Sequence, residues 1–96
     1  MHIDGLKQCW HQYCVLAPDK EALTAALAAS QIGTGAFYPV PLHLQKAFQS
    51  LGYQAGSLPV AERVCAQSVC LPVFPELTDE EQGFIMDTIR AHYGLA

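Results

Sequence analysis

Residues 31–45 read QIGTGAFYPVPLHLQ. The run from Thr34 to Tyr38 reads as a short, glycine-punctuated strand, and a helix is expected to begin at His43. Between them Pro39 and Pro41 fix φ, and Pro41 also drives Val40 towards extended backbone. One aromatic, Tyr38, and one imidazole, His43, are thereby held on a stiff, irregular segment braced by regular elements. Binding residues concentrate on segments of this kind, so Tyr38 and His43 are the candidate binding residues.

Working outward, HQYCVL (11–16) is rich in aromatic and β-branched character and reads as a strand. Pro18-Asp19-Lys20-Glu21 opens a helix, with proline suited to the first turn and acids to the positive end. Leu23, Ala26, Leu27 and Ser30 follow at helical spacing, and Gly33 is the expected left-handed cap. Downstream, the helix from His43 to Leu51 stops at Gly52. Ser57 is expected to cap a third helix that has Pro59 near its first position and runs to Val69. Cys70 to Phe74 reads as a strand interrupted by Pro72 and Pro75, which suits a sheet edge. Thr78 with Glu81 forms a capping box ahead of Phe84, Ile85, Ile89 and Tyr93. The sum is one α+β domain over residues 1–96. It is a two-layer sandwich in which helices pack on a small, mainly antiparallel sheet of about three strands.

Of the 96 residues, 51% are hydrophobic and 15% charged, against about 25% charged in an average domain. A chain this small cannot hide so much apolar surface, so part of it is expected to face a partner, with a homo-oligomer the simplest case. Net charge is −4, and the five basic residues are scattered at 7, 20, 46, 63 and 90. No basic footprint for nucleic acid exists. No apolar run approaches the ~20 residues of a membrane span, and the first ten residues lack the pattern of a signal peptide. A cytoplasmic setting without membrane contact is therefore expected.

The cysteines fall at 9, 14, 65 and 70. On a strand, the odd step from Cys9 to Cys14 points the thiols to opposite faces and argues against a shared metal. Buried free thiols are the expectation. Gly33-Thr34-Gly35 lacks the lysine and hydroxyl of a phosphate loop. Glu62 and Arg63 read as a solvated helix face, Glu76 and Asp79–Glu81 as helix-start acids, and His11 as a structural histidine. No nucleophile–histidine–acid constellation is present.

The order of these pieces resembles the C-terminal small domain of the DegT/StrS-type aminotransferases, pyridoxal-phosphate enzymes that transfer an amino group to nucleotide-linked keto sugars. The blocks that carry the resemblance are WHQYCVL (10–16), IGTGAFYPVPLHLQ (32–45), FQSLGY (48–53), PVAER (59–63) and LPVFPELTDEEQ (71–82). Five blocks in the right order and at the right intervals make it specific. The resemblance implies the small domain of a fold type I aminotransferase, closing over a site built by a large domain and a partner subunit. The large domain of such enzymes carries the Schiff-base lysine, the acid that pairs with the pyridine nitrogen and the groups that hold the phosphate. Tyr38 to His43 would lie at the mouth of that site, making Tyr38 and His43 substrate-binding. Phe37 departs from the histidine of many members.

Pyridoxal chemistry needs a tuned lysine and an acid on the ring nitrogen. Lys7, Lys20 and Lys46 lack that context, so the chain alone is expected to hold no catalytic residue, no pyridoxal phosphate and no metal. A separately encoded large domain is then the expected partner, in a split enzyme. Two rival readings remain. One is a self-associating module or truncated-gene remnant; the other is an enzyme with a pocket of its own built from Tyr38, His43 and His11.

Overall fold

Two four-residue strands, β1 (Tyr13–Leu16) and β2 (Ser68–Leu71), pair antiparallel in a computed structural model that describes residues 4–95. Tyr13 lies opposite Leu71, Cys14 opposite Cys70, Val15 opposite Val69 and Leu16 opposite Ser68. Helix α1 (Lys20–Ala29) follows β1, helix α2 (Pro59–Gln67) leads into β2, and helix α3 (Asp79–His92) comes last. Two short 3-10 segments, Leu42–Leu44 and Lys46–Leu51, lie between α1 and α2. The fold class is the α+β class expected.

Side chains alternate across a strand, so Val15, Val69 and Leu71 share one face of the sheet. That face packs on Leu23, Leu27 and Ile32, and on Ile85 and Ile89 of α3. Leu23, Leu27 and Val69 are fully buried, each contributing roughly 1.5–3 kcal/mol through removal from water. The α3 capping box forms as read: Thr78 Oγ1 accepts from the Glu81 N–H at 3.2 Å, and the Glu81 carboxylate accepts from the Thr78 N–H at 2.9 Å. At the other end of α3, His92 Nε2–H and the Tyr93 hydroxyl donate to the two Asp19 oxygens, each at 2.6 Å. One carboxylate thus ties the end of α3 to the start of α1.

Several local expectations are corrected. The strand expected over Thr34–Tyr38 is a single bridge, Gly35 to Cys70, because Pro39 and Pro41 have no N–H with which to extend a ladder. The second strand is Ser68–Leu71 rather than 70–74, since Pro72 stops it. The helix expected at 43–51 breaks at Gln45, which is extended (φ −72°, ψ 142°), into the two 3-10 segments. Residues 46–51 are exposed and lack the buried stripe that sustains a short helix. Gly52 ends the second segment, as read, and does so in the left-handed conformation. After α1 that conformation falls on Gln31 (φ 59°) rather than Gly33. Leu58, not Ser57, precedes the first turn of α2, and the Ser57 hydroxyl accepts instead from the Gln54 N–H.

The cysteines also differ from expectation. Cys14 and Cys70 are joined by a disulfide, while Cys9, exposed, and Cys65, half-buried, are free. Comparing only neighbours in sequence misses a partner 56 residues away.

Replacing Thr78 by alanine is expected to lower stability by about 1 kcal/mol through loss of the cap. Gln31→Gly is expected to raise it by about 0.5 kcal/mol by relieving a left-handed side chain. Urea denaturation of the two variants beside the parent chain reads both effects.

Candidate functional site

The segment that carries Tyr38 is a strap fixed at both ends. Gly35 donates its N–H to the Cys70 carbonyl at 3.0 Å and accepts from the Cys70 N–H at 2.8 Å. The Ser68 hydroxyl donates to the Phe37 carbonyl at 3.2 Å. Beyond the prolines, the Leu44 N–H returns to the Pro41 carbonyl at 3.0 Å, and Gln45 Nε2 donates to the Val40 carbonyl. Between these anchors Tyr38 projects outward, 68% exposed, its ring edge-on to Phe37.

His43 is placed differently. It is 8% exposed, its ring stands edge-on to Tyr53, and Nε2–H donates to Glu62 Oε1 at 3.1 Å. The same carboxylate accepts the Gly56 N–H through both oxygens at 2.9 Å and the Leu58 N–H at 3.2 Å. These bonds, the one from Gly56 foremost, hold the Glu62 carboxyl below its ordinary value of 4.5. Glu62 therefore gathers three pieces of chain: the 53–58 loop, helix α2 and the 3-10 turn bearing His43. The two candidates are thus unlike, one presented to solvent and one committed through Nε2 to Glu62. His11 is exposed, ahead of β1.

The expectation that Glu62, with Arg63, forms a solvated helix face is corrected for Glu62, whose carboxylate is taken up by His43, Gly56 and Leu58. The missed signal is a carboxylate one turn into a proline-started helix, preceded by a Gly-Ser-Leu loop rich in unpaired amides; such a carboxylate can reach back to the free N–H groups of the helix entry.

Among the lysines, Lys20 Nζ donates to the Cys65 carbonyl at 3.2 Å, in a cleft shared with Asp19, Glu21 and Pro39. Lys7 and Lys46 are exposed. Among the described residues, no three His, Cys, Asp or Glu side chains are grouped to hold a metal, and no helix is long and apolar enough to cross a membrane.

Trp10 and Tyr13, with ring centroids 5.1 Å apart, wall a groove of about 350 Å³ completed by Phe74, Leu77, Ile85 and Met86. An adjoining groove of about 500 Å³ shares Phe74 and Leu77 and adds Phe84. Trp10, Tyr13, Phe74, Phe84 and Met86 are all exposed, so this side of the molecule is an apolar face.

Solved structures define the class. DesV of S. venezuelae, solved with a ketimine intermediate, superposes with a TM-score of 0.82 at 34% identity, over 85% of this chain and 22% of that one. A DegT DnrJ EryC1 StrS aminotransferase from Brucella abortus gives a TM-score of 0.78 at 34% identity, over 88% and 23%. The fold is that of part of a fold type I aminotransferase. The DegT/DnrJ/EryC1/StrS aminotransferase family model matches residues 1–90, and the chain belongs to that family. Among curated relatives, a "Pleiotropic regulatory protein" of Geobacillus stearothermophilus is 43% identical over 91 residues, which cover 95% of this chain and 24% of that protein. A UDP-N-acetyl-3-dehydro-alpha-D-glucosamine 3-aminotransferase of Acidithiobacillus ferrooxidans is 36% identical over 87 residues, covering 90% and 23%. The chain spans about a quarter of the length of the relatives it matches.

The depressed carboxyls make stability depend on acid. Asp19 lies below its ordinary 3.8, held down first by the Tyr93 hydroxyl and then by His92. A carboxyl with a lowered folded pKa stabilises fully above its unfolded value and loses that contribution as pH falls through the folded one. The thermal midpoint should therefore drop as pH falls below about 5, through and beyond the ordinary carboxylate range. Glu62→Gln should start lower at neutral pH and fall less over that range, as read by thermal melts across a pH series.

Proposed function

We propose that this chain is the substrate-closing small domain, C-terminal in its relatives, of a DegT/StrS-type nucleotide-sugar aminotransferase. On this reading it acts only with a large domain that supplies the pyridoxal-phosphate site. The observation that carries the reading is the pairing of two coverages: nearly all of this chain matches, yet it accounts for about a quarter of each relative. The substrate class follows from the relatives, among them a UDP-N-acetyl-3-dehydro-glucosamine 3-aminotransferase.

The residues present do not fit pyridoxal phosphate. When bound, that cofactor serves as an electron sink and needs a lysine, an acid on its ring nitrogen and donors for its phosphate. Lys20 is bonded to a backbone carbonyl beside Asp19 and Glu21, an acidic setting that repels a phosphate. Lys7 and Lys46 stand exposed. The chain's contribution is therefore positional. Tyr38, outward on its strap, meets the sugar. His43 fixes the far end of the strap through Glu62 and supports the substrate edge from behind. The apolar face around Trp10, Phe74 and Met86 rests on the large domain, separately encoded in a split enzyme. The setting is the cytoplasm.

That exposed apolar face also favours a second reading, a module that self-associates through it with no aminotransferase partner. Mixing the chain with a family large domain expressed without its small domain separates the two. The first reading expects a complex by size-exclusion chromatography, and transamination that neither part shows alone. The second expects a homo-oligomer that ignores the large domain. In the active complex, Tyr38→Ala should lower kcat/KM for the sugar about tenfold, the worth of one good hydrogen bond, without moving Tm. His43→Ala should instead lower Tm.

A further inference from the structure

Cys14 and Cys70 lie opposite one another in the sheet register, with Cα atoms 4.0 Å apart. Cys70 directs both its N–H and its carbonyl to Gly35, away from β1. In an antiparallel sheet this makes Cys14–Cys70 a non-hydrogen-bonded pair, the position at which facing side chains come closest. The sulfur link is thus the direct tie between the strands at that point. It lies on the sheet face opposite Val15, Val69 and the core, on the side where Ser68 holds Phe37. The two ends differ in access: Cys14 is exposed, whereas Cys70 is 6% exposed, with Gly35 along its edge.

We propose that Cys14–Cys70 is a reversible thiol-exchange site, opened by attack at the Cys14 sulfur, that controls how firmly the Gly35–Tyr38 strap is held. The partner class is a small dithiol in one direction and a small-molecule disulfide in the other. A dithiol thiolate attacks Cys14 Sγ, the Sγ–Sγ bond breaks, and its electron pair leaves with Cys70 as a thiolate. The second thiol of the reductant then closes on the mixed disulfide and releases Cys14 as a thiolate. Two electrons pass to the protein, the two reductant thiols become one disulfide, and their protons end on the cysteines. Access selects the attacked sulfur, because exchange rates follow approach as well as thiolate character.

The consequence follows from what Cys70 holds. Its edge towards β1 carries the disulfide, and its other edge carries both backbone bonds to Gly35. Opening the link leaves β1 tied to β2 by the hydrogen bonds of neighbouring pairs and by the packing of Val15 beside Val69 on the core face, with no covalent tie on the opposite face. The position of β2, and of the strap hung on it, is then less closely fixed. In a reducing compartment a disulfide is commonly transient and redox-sensing, which suits an exposed link beside a binding segment. The exchange stands on the sheet geometry; the reducing setting and the bearing on a sugar substrate rest on the proposed function.

The test uses this chain by itself, so failure of the aminotransferase reading leaves it intact. The folded protein is treated with about 1 mM dithiothreitol, then alkylated and mapped by mass spectrometry, with circular dichroism in parallel. Cys14 and Cys70 should become labelled together while helical signal is retained, and oxidised dithiothreitol should restore the link. With glutathione disulfide, the thiol left in Cys70→Ser should be modified about tenfold faster than the thiol left in Cys14→Ser. In nitrogen-15 NMR spectra of the unmutated chain, amides of Gly35 to Tyr38 should shift or broaden on reduction. Resistance to the dithiol until urea unfolds the chain would overturn the exchange, as would failure of the pair to re-form or equal reactivity at the two cysteines. Unchanged strap amides in the reduced protein would overturn the control of the strap.

Discussion

Burial of Val69 at the centre of β2 imposes a condition on its neighbours. A two-stranded sheet is marginal in water unless one face is covered, and here the cover comes from Leu23 and Leu27 of α1 and Ile85 and Ile89 of α3. The helices must therefore cross the same short strand, and their ends must meet nearby. Asp19 meets that requirement, accepting from His92 and Tyr93 at the far end of α3. Because the core faces only one side of the sheet, the other side is left for the strap and the disulfide.

Polar organisation is concentrated at helix starts. Asp19 precedes α1, Thr78 and Glu81 start α3, and Glu62 lies one turn into α2. Each is where free backbone N–H groups and the helix dipole favour an acceptor. In α1 and α2 the acceptor also serves a distant histidine: His92 on Asp19 and His43 on Glu62. The helix starts are thus the points at which separate pieces of chain are fastened together.

What could be read from the sequence follows the range of the interactions involved. The capping box, the Pro59 helix start and the Gly52 stop are local signals and stand where residues 52, 59 and 78–81 put them, and the first strand, read over 11–16, forms over 13–16. The Cys14–Cys70 link, the Glu62–His43 bond and the Asp19 latch join residues 56, 19 and more than 70 positions apart, and no window along the chain contains them. The left-handed turn at Gln31 was hidden because Gly33 is the better conformer by type, while the length of α1 decided the position. Tyr38 was read as presented on a stiff segment and is so presented; the commitment of His43 to a carboxylate on another element was not visible.

The strap has a consequence for how such a domain diversifies. Tyr38, Pro39 and Val40 are exposed between anchors at Gly35 and Pro41, and they bury nothing in the core. Exchanging or lengthening these residues leaves Leu23, Leu27 and Val69 untouched. In the substrate-meeting role proposed for Tyr38, selection for a new ligand would act on the strap while selection for folding acts on the sheet and helices. In that role, recognition would drift at little expense to the scaffold.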